Sequence, residues 1–457
     1  MPDADLPRIR LTTAEMAYGP HAVGRHGGKV VFVRGAAPDE DVEVVLREDH
    51  RRYAFADAVA VVRPSAERRL PPCPYLPACG GCPWQHLTYA AQLAAKRRIV
   101  EEQLRRIAGL DVAVAPVLAS PHEFGYRRRI KLRTAGGEIG YYAGASHDLV
   151  PVSHCLLAES AADAGLTAAA ALTQALQPRL RRVELIGKAT NGDALVIAAE
   201  LQGAWDARDE GAVRDWLAAC PSVRGLALRG RGWQRCWGDV RVEIEPEPGL
   251  VLHAHAPAFT QVNPDANRLL VGTVIRFVEP EPNHLVLDLY AGVGNFSVPL
   301  KRCGATVIAV EQDRQAAADA TANQGRHPGP IMRVIADRAE RALERLIGEG
   351  VQPDAVVLDP PRSGAAACVD GLLRLAPARL VYVACDPATL ARDLARLQTR
   401  YRIDAVQPLD MFPHTYHVEI VVRATLSCDS QTPGVSSARR HGSAEPSRRR
   451  RTRRRTS

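Results

Sequence analysis

The strongest chemical signal in the sequence is a cysteine, Cys385, which follows a short apolar run within Val381–Asp393 (VYVACDPATLARD). Two further segments flank it along the chain: Asp359–Gly364 (DPPRSG) before it and Met411–Glu419 (MFPHTYHVE) after it. Together the three segments offer a thiol nucleophile, an acidic turn at a strand end and a candidate general base. This combination indicates covalent chemistry on a pyrimidine ring, with a methyl donor bound alongside.

The electronics of uracil explain why these groups belong together. C5 of uracil is a poor nucleophile, but a thiolate that adds to C6 turns the ring into an enolate, which can take a methyl group from a sulfonium donor. A base must then remove the proton from C5 so that the thiolate can leave. Cys385 fits the first role and Glu419 fits the last. The alternative for Cys385 is a buried, unreactive cysteine, which is the commonest fate of a free cysteine taken alone.

The elements that must position these residues follow a regular βαβ rhythm from about residue 256. Apolar strands alternate there with amphipathic stretches, which predicts a doubly wound, mostly parallel sheet in an α/β fold. The predicted strands are Leu285–Leu289, Thr306–Val310, Ile331–Ile335, Ala355–Leu358 and Leu380–Ala384. Two final strands, Ile403–Pro408 and His417–Arg423, are joined by a short loop and should therefore be antiparallel. That ending is typical of class I SAM-dependent methyltransferases, which are Rossmann-like.

This topology predicts that Asp359, Cys385 and Glu419 lie at one edge of the sheet. Asp359 and Cys385 end parallel strands, and ligands of open α/β sheets bind beyond the carboxyl ends of such strands. Glu419 lies near the start of a strand that runs backward, so it should reach the same edge.

A glycine turn marks the predicted cofactor site. The first strand runs into Leu285–Phe296 (LVLDLYAGVGNF), where Gly292 and Gly294 allow the backbone to approach a ligand closely. Position 297 is Ser where a dinucleotide fingerprint has its third glycine, which disfavours a pyrophosphate ligand. Glu311 ends the second strand, where an acid can accept hydrogen bonds from both hydroxyls of a ribose. An ordinary turn of an α/β sheet and an NAD site are the alternatives.

The last 200 residues resemble the RNA uracil-C5 methyltransferase family. The DPPR, CDPATLARD and MFPHTYHVE segments match its signatures in order and spacing, and Phe259–Asn263 (FTQVN) matches the segment ahead of the cofactor turn. The resemblance implies that Cys385 is the nucleophile, that Glu419 is the base, and that Asp359 lies at the junction of SAM and uracil. It also implies a set of SAM-holding residues: Gln261, Tyr290, Asn295, Glu311 and Asp337.

The chain departs from the family pattern at two positions. Asp386 stands where Asn is usual after the nucleophile, and Tyr290 replaces a frequent Phe. An acid beside Cys385 would raise the pKa of its thiol and slow its attack, without abolishing the activity.

Four cysteines form a candidate metal-binding set: Cys73, Cys79, Cys82 and Cys155. Four thiolates suit a [4Fe–4S] cluster or structural zinc. Zinc sites usually contain two Cys-x2-Cys pairs, whereas this chain has one, and the C-x5-C-x2-C spacing matches the iron–sulfur branch of the same family. We therefore expect a [4Fe–4S] cluster, with zinc as the alternative. Radical SAM enzymes have a shorter first spacing, which argues against radical chemistry. Because the methyl transfer needs no electron transfer, we expect a structural or RNA-contacting role for the cluster.

The rest of the chain divides into further predicted domains. Short strands between Gly-rich turns in residues 7–62 predict a small antiparallel, OB-like β-barrel, which resembles the TRAM RNA-binding module of such enzymes. The predicted domains are 1–64 (TRAM-like barrel), 65–255 (central α+β domain with the four-cysteine site), 256–426 (methyltransferase) and 427–457 (disordered Arg-rich tail).

The net positive charge of the chain comes from that tail. Residues 430–457 contain nine arginines and one acid, Glu445, which accounts for the whole net charge of +8. Within the body, residues 96–133 hold ten Lys or Arg against four acids. Such an excess fits an RNA-binding surface or simply a solvated face.

Together these features predict a cytoplasmic, monomeric, SAM-dependent RNA 5-methyluridine methyltransferase with an accessory iron–sulfur cluster. There is no apolar run long enough to span a membrane and no basic-then-apolar N-terminal signal, so no membrane partner is expected. Ribosomal RNA, of the 23S type, is the preferred substrate and transfer RNA is the alternative. A non-catalytic RNA-binding assembly factor stays open. A methyltransferase of adenine amino groups is disfavoured, because Arg362 stands where an aromatic residue would stack on the base.

Overall fold

A small closed barrel and two seven-stranded sheets account for most of the structure, a computed structural model that describes residues 8–187 and 194–427. The predicted Arg-rich tail, 427–457, lies outside the described residues except for its first position. None of the helices in this part of the chain combines the length and the apolar character that a bilayer crossing requires.

The N-terminal barrel closes in the order β1-β2-β3-β5-β4. Its strands are β1 (Arg8–Met16), β2 (His21–His26), β3 (Lys29–Arg34), β4 (Asp41–Asp49) and β5 (Tyr53–Arg63). The expectation of a wholly antiparallel barrel is wrong at one pairing, because β3 and β5 are parallel. β4 does not pair with β3 but with β1. β5 then lies between β3 and β4 and runs in the same direction as β3.

A second sheet forms the central part and has the order β12-β11-β10-β9-β6-β7-β8. Its strands are β6 (Arg129–Ala135), β7 (Glu138–Tyr142), β8 (Leu149–Pro151), β9 (Leu180–Gly187), β10 (Leu195–Leu201), β11 (Val223–Gly230) and β12 (Trp233–Gly238). Helices α2 (Ser160–Ala175) and α3 (Ala207–Ala219) cover one face, and Leu166, Leu172 and Trp216 pack into a shared apolar core with the strands. The predicted α+β character of this region is confirmed.

The third sheet has the order β17-β16-β15-β18-β19-β21-β20, and its last strand pair is antiparallel as predicted. Its strands are β15 (Leu285–Leu289), β16 (Thr306–Glu311), β17 (Met332–Ala336), β18 (Ala355–Leu358), β19 (Arg379–Ala384), β20 (Tyr401–Leu409) and β21 (Glu419–Leu426). The helices are α4 (Pro264–Val278), α5 (Ser297–Arg302), α6 (Arg314–Arg326), α7 (Ala339–Gly348), α8 (Val369–Leu375) and α9 (Pro387–Leu397). The hairpin β13 (Arg241–Glu247) and β14 (Leu250–His255) packs into the same core.

One helix, α1 (Tyr89–Ala108), contacts both the barrel and the third sheet. Its residues Ala91, Ala95 and Ile99 pack in the barrel core, whereas Val100 and Leu104 pack in the core beneath the third sheet. α1 therefore joins regions that the predicted boundaries at 64 and 255 separate, and those boundaries stay predictions.

α1 also holds the loop between β20 and β21 through buried polar contacts. Lys96 Nζ lies 2.6 Å from Asp410 Oδ1 and donates to the carbonyl of Phe412 at 3.1 Å, and both charged side chains are fully buried. One helical turn earlier, Gln92 Oε1 accepts a hydrogen bond from the backbone N–H of His414 at 2.7 Å. The loop that leads into Glu419 is thus fixed from outside its own sheet.

We predict that Lys96→Met lowers the free energy of unfolding by about 3–5 kcal/mol, because it leaves the Asp410 carboxylate buried without its cation. Chemical denaturation measures this difference. Arg97→Met is the matched control, since Arg97 is an exposed neighbour whose pairing with Glu101 is worth about 0.5 kcal/mol or less. The double variant Lys96→Met/Asp410→Leu should recover most of the loss. Equal unfolding of Lys96→Met and wild type would contradict a stabilising role for the pair.

Candidate active site and cysteine cavity

The carboxyl edge of the third sheet brings together the residues predicted to do chemistry. Ala384 of β19 pairs with Ile420 of the antiparallel β21. One position further along the ladder, Cys385 therefore lies opposite Glu419. Asp359 directly follows β18, which is parallel to β19, so its backbone leaves the sheet at the same edge. Cys385 is half-buried and the Glu419 side chain is buried.

Burial and mutual repulsion control the ionisation of these groups. Burial raises the pKa of the Cys385 thiol to about 12, with further contributions from the charges of Glu419 and Asp359. Burial also raises the pKa of Glu419 well above its ordinary value, and Asp359 adds to that rise. Burial, followed by the nearby Asp288, raises the pKa of Asp359 to about 7. The edge therefore resists carrying several negative charges at once.

Arg362 supplies the opposing charge at this edge. Its guanidinium lowers the pKa of both Cys385 and Glu419 and so favours their ionised forms. It also lies 3.3 Å from Nε2 of His417. Because a guanidinium can only donate, Nε2 accepts and Nδ1 carries the ring proton. Burial first, and Arg362 second, lower the pKa of His417 to about 4, so the ring is neutral at pH 7.

Asp386, the residue beside Cys385 that departs from the family pattern, has two hydrogen-bond partners in the structure. Its Oδ1 accepts from the backbone N–H of Thr389 at 2.8 Å and so caps the start of α9. Its Oδ2 accepts from the hydroxyl of Tyr18, in the turn between β1 and β2 of the barrel, at 3.0 Å. The pKa of Cys385 is raised, but its causes are burial first and then Glu419 and Asp359, rather than the adjacent Asp386 that the sequence suggested.

Tyr18 is not among the residues predicted from the sequence, and Arg362 is predicted only as a residue that disfavours another reaction. Tyr18 lies 368 positions from Asp386, and nothing in its local sequence marks the contact. A signal for Arg362 was present, since it is part of the DPPR segment that also contains Asp359.

The glycine turn after β15 is tied to the end of β16. The backbone N–H of Gly292 donates to Glu311 Oε2 at 2.9 Å, and the N–H of Asp337 donates to the Glu311 carbonyl at 3.0 Å. Tyr290 and Gly292 both have positive φ, of 65° and 57°, as the sharp strand-to-turn exit requires. Tyr290 lines a cavity of about 180 Å³ beside this turn, together with Gln312 and Arg338, the neighbours of Glu311 and Asp337.

Two other predicted cofactor residues lie on the α4 side of the turn. Asn295 exchanges two side-chain hydrogen bonds with Asn267 of α4, at 2.9 and 3.0 Å. Gln261 lies just before α4 and makes no side-chain hydrogen bond within the described chain. The serine at position 297, where a dinucleotide fingerprint has glycine, has a structural role: its hydroxyl donates a hydrogen bond to the fully buried carboxylate of Asp288. The structure therefore brings Tyr290, Glu311 and Asp337 around one turn and leaves Gln261 outside that hydrogen-bonded network.

One cavity of about 310 Å³ is lined by all four cysteines of the candidate metal set, Cys73, Cys79, Cys82 and Cys155. The Tyr141 hydroxyl donates to Cys155 Sγ at 3.7 Å. Arg362, Phe412 and His417 line the same cavity, which therefore borders the candidate active site. Within the described ranges, no group of three or more His, Cys, Asp or Glu side chains is arranged to hold a metal ion as it stands.

Comparisons with known proteins identify related sequences across most of the chain. The family profile described as tRNA (Uracil-5-)-methyltransferase matches residues 248–425, and the TRAM domain profile matches residues 13–59. The 23S rRNA (uracil(1939)-C(5))-methyltransferase RlmD of Thiobacillus denitrificans is 36% identical over 428 residues, which cover 88% of this chain and 96% of that protein. The protein of the same name from Dechloromonas aromatica is 33% identical and covers 87% and 95%.

A solved structure has the same overall fold. The crystal structure of Pyrococcus abyssi tRNA (uracil-54, C5)-methyltransferase in complex with S-adenosyl-L-homocysteine has a TM-score of 0.69 and 25% sequence identity. The match covers 91% of this chain and 99% of that chain.

We predict that Asp288→Asn changes how stability depends on pH. Burial raises the pKa of Asp288 to about 7, against an ordinary value near 4. The folded protein thus keeps a proton that the unfolded chain releases, and this group's contribution to stability falls as the pH rises from about 4 to 7. The variant should gain stability relative to wild type over that range and level off above it.

Chemical denaturation at several pH values measures the difference between Asp288→Asn and wild type. Asp215→Asn, which removes an exposed carboxyl in α3, is the matched control for the substitution itself. A difference between Asp288→Asn and wild type that does not vary with pH would contradict the raised pKa of Asp288.

Proposed function

The chain belongs to the family of SAM-dependent RNA uracil-C5 methyltransferases, and from that premise we propose that it converts a uridine of 23S ribosomal RNA to 5-methyluridine through a covalent bond between Cys385 and C6. The observation that carries the covalent mechanism is the strand register that sets Cys385 opposite Glu419. The ribosomal substrate is supported by relatives named for 23S rRNA that match along most of the chain. Transfer RNA stays the alternative, because the solved P. abyssi structure is of a tRNA enzyme.

In the proposed reaction the Cys385 thiolate bonds to C6 of the target uracil, and the electron pair of the C5–C6 double bond moves toward the O4 carbonyl. The carbanion-like C5 then bonds to the methyl group that SAM, when bound, would supply; the bond between this methyl group and the sulfonium breaks, and its electron pair stays with S-adenosyl-L-homocysteine as the leaving group. Glu419 then takes the proton from C5, the double bond re-forms, and the bond between sulfur and C6 breaks to restore the thiolate. Every bond made to Cys385 is therefore broken again within the cycle.

Electrostatic coupling between Cys385 and Glu419 determines the order of the reaction steps. Because Glu419 raises the pKa of Cys385 in a buried setting, one negative charge is easier to hold there than two. When sulfur bonds to carbon it no longer carries that charge, so Glu419 can ionise and act as a base in the next step. Arg362 favours the ionised form of each group in turn.

For the cofactor we propose that the turn around Gly292 holds SAM, with Glu311 on the ribose and Asp359 between SAM and the uracil. Gln261, Tyr290, Asn295 and Asp337 complete the proposed SAM-binding set. The hydrogen bonds that join Gly292, Glu311 and Asp337, and the cavity beside Tyr290, support this assignment. The cytoplasmic location and the monomeric state remain predictions.

We also propose that Cys73, Cys79, Cys82 and Cys155 hold a [4Fe–4S] cluster in a structural role. Zinc would require its four sulfurs to lie roughly 4 Å apart, given Zn–S bonds of about 2.3 Å. The cavity of about 310 Å³ that the four cysteines line together with other residues has room for a larger group. Burial, followed by the neighbouring thiols, raises the pKa of Cys82, so four thiolates would share this cavity only with a compensating cation. The donor set therefore fits an iron–sulfur cluster.

The test of the function is transfer of labelled methyl from SAM to unmodified ribosomal RNA and, separately, to transfer RNA, followed by nucleoside analysis. We expect label in 5-methyluridine from 23S ribosomal RNA. Label from transfer RNA alone would favour the alternative substrate. Label in neither, with SAM bound, would favour an RNA-binding assembly role without catalysis.

We predict that Cys385→Ala loses turnover and still binds SAM within about twofold of wild type, because the cysteine acts on the base rather than on the cofactor. Glu419→Gln should accumulate a covalent protein–RNA adduct on denaturing gels, since methylation proceeds but release requires the base. Cys303→Ala, at an exposed cysteine, is the matched control and should retain activity. Methylation by Cys385→Ala would rule out the covalent mechanism, and a folded Glu419→Gln without adduct would reassign the base.

For the cluster we predict about four iron and four sulfide per chain after anaerobic purification. Cys155→Ser should lose most of the iron, whereas Cys236→Ser, at an exposed cysteine away from the cavity, should retain it. Zinc at one per chain, with no sulfide, would replace the iron–sulfur assignment.

A further inference from the structure

The turn between β1 and β2 brings Tyr18 to the residue that follows the candidate nucleophile. The Tyr18 hydroxyl donates to Asp386 Oδ2 at 3.0 Å, while Oδ1 of the same carboxylate caps α9. Burial, followed by the charge of Asp386, raises the pKa of Tyr18, so the hydroxyl keeps its proton and remains the donor. Both carboxylate oxygens of Asp386 therefore have a hydrogen-bond donor, and within the described chain neither donor is the thiol of Cys385.

Contacts from outside the barrel hold this turn in place. The indole N–H of the fully buried Trp84 donates to the Gly19 carbonyl at 3.0 Å. The backbone N–H of Trp84 donates to the carbonyl of His414 at 3.0 Å, so one residue joins the turn to the loop between β20 and β21. Tyr416 of that loop meets the Tyr18 ring edge-on, with centroids 5.7 Å apart. The orientation of the Tyr18 ring is therefore set by the same loop that leads to the candidate base.

The thiol of Cys385 is sensitive to the charges that surround it. After burial, Glu419 and Asp359 raise the pKa of Cys385, whereas Arg362 lowers it. Tyr18 belongs to the same electrostatic neighbourhood, because the Cys385 thiolate adds to the rise in the pKa of the phenol. Any further negative charge left without a partner beside Cys385 would make its thiolate harder to form.

The carboxylate of Asp386 is such a charge, and two donors stabilise it. One is the N-terminus of α9, where the backbone N–H of Thr389 and the helix dipole attract an anion. The other is the Tyr18 hydroxyl, whose hydrogen bond to an ionised acceptor is stronger than a bond between neutral groups. Without the second donor the carboxylate would be free to turn off the cap, and its charge would oppose the thiolate of Cys385.

We propose that Tyr18 is a positioning residue for the nucleophile: its hydroxyl holds the Asp386 carboxylate on the cap of α9 and keeps that charge from opposing the thiolate of Cys385. Tyr18 acts on Cys385 through Asp386 and forms no bond to the reacting atoms. This inference rests on the proposed function, which makes Cys385 the nucleophile. It also implies that the hydroxyl of Tyr18 is needed only while residue 386 is charged, because the neutral isostere asparagine leaves no charge to hold.

The test is the rate at which iodoacetamide alkylates Cys385 in the full chain, measured over a range of pH by mass spectrometry of the peptide that contains Cys385. The thiolate is the form that reacts, so the rate below the pKa of the thiol follows the thiolate fraction. We expect Tyr18→Phe to react about threefold more slowly than wild type near pH 8, because a pKa higher by about one unit lowers the thiolate fraction about tenfold while the weaker acid gives the better nucleophile. The curve of rate against pH should move to higher pH.

Asp386→Asn separates the hydrogen bond from mere packing of the Tyr18 ring. The oxygen of an asparagine side chain can still cap α9, and its amide N–H can donate to the Tyr18 hydroxyl, but the charge is gone. Asp386→Asn should therefore react at least as fast as wild type, and Tyr18→Phe/Asp386→Asn should react like Asp386→Asn. Equal slowing by Tyr18→Phe in both backgrounds would overturn the inference, as would a folded Tyr18→Phe that reacts like wild type.

Tyr53→Phe is the matched control, because it removes the same atom from a tyrosine of the same barrel. Tyr53 pairs with the end of β3 that lies opposite the end next to the β1–β2 turn, and its hydroxyl makes no hydrogen bond within the described chain. This variant should react like wild type, and thermal unfolding verifies that each variant is folded. Alkylation needs neither RNA nor SAM. A wild type that shows this pattern but methylates no uridine would therefore refute the proposed function and leave the inference standing.

Discussion

The buried ion pair between Lys96 and Asp410 is the interaction on which the arrangement of the candidate site depends. Asp410 begins the loop that ends at Glu419, and Lys96 belongs to a helix whose two halves pack in two different cores. Gln92, one turn earlier along α1, forms a second contact with the same loop by accepting a hydrogen bond from the backbone N–H of His414. The position of the candidate base relative to Cys385 is therefore determined by the contact between the barrel, α1 and the third sheet together.

Local pattern was sufficient to predict the third sheet and its reactive edge. Short apolar strands at regular intervals indicated the parallel order, and the short link between the last two strands required them to be antiparallel. Those two inferences alone bring Cys385 and Glu419 to one edge. The contacts from Tyr18 to Asp386 and from Lys96 to Asp410 could not be predicted in this way, because each joins residues more than 300 positions apart and neither has a periodic signal. The parallel pairing of β3 with β5 was missed because hairpin-like spacing favours antiparallel neighbours.

Electrostatics and packing have opposite effects at the reactive edge. Burial excludes water and raises the pKa of Cys385, Glu419 and Asp359, which favours neutral groups. Arg362 supplies the positive charge that offsets part of this effect, and it also lines the cavity of the four cysteines. The cysteine cavity and the reactive edge therefore share a wall, so a change in the loop from Phe412 to His417 reaches both. A group bound in the cysteine cavity would contact the loop from Phe412 to His417 and stabilise it.

The distance along the chain between Lys96 and its partner has a consequence for biosynthesis. The two residues are 314 positions apart, so Lys96 leaves the ribosome long before Asp410 is made. Until then the Lys96 ammonium group has no counter-ion, and burying it would carry the free-energy cost of an unpaired charge. A chain that terminates before residue 410 leaves this lysine without a counter-ion and the helix half-packed, which exposes incomplete products to proteolysis. The ion pair thus makes synthesis of the chain through residue 410 a condition for burying Lys96 as a paired charge.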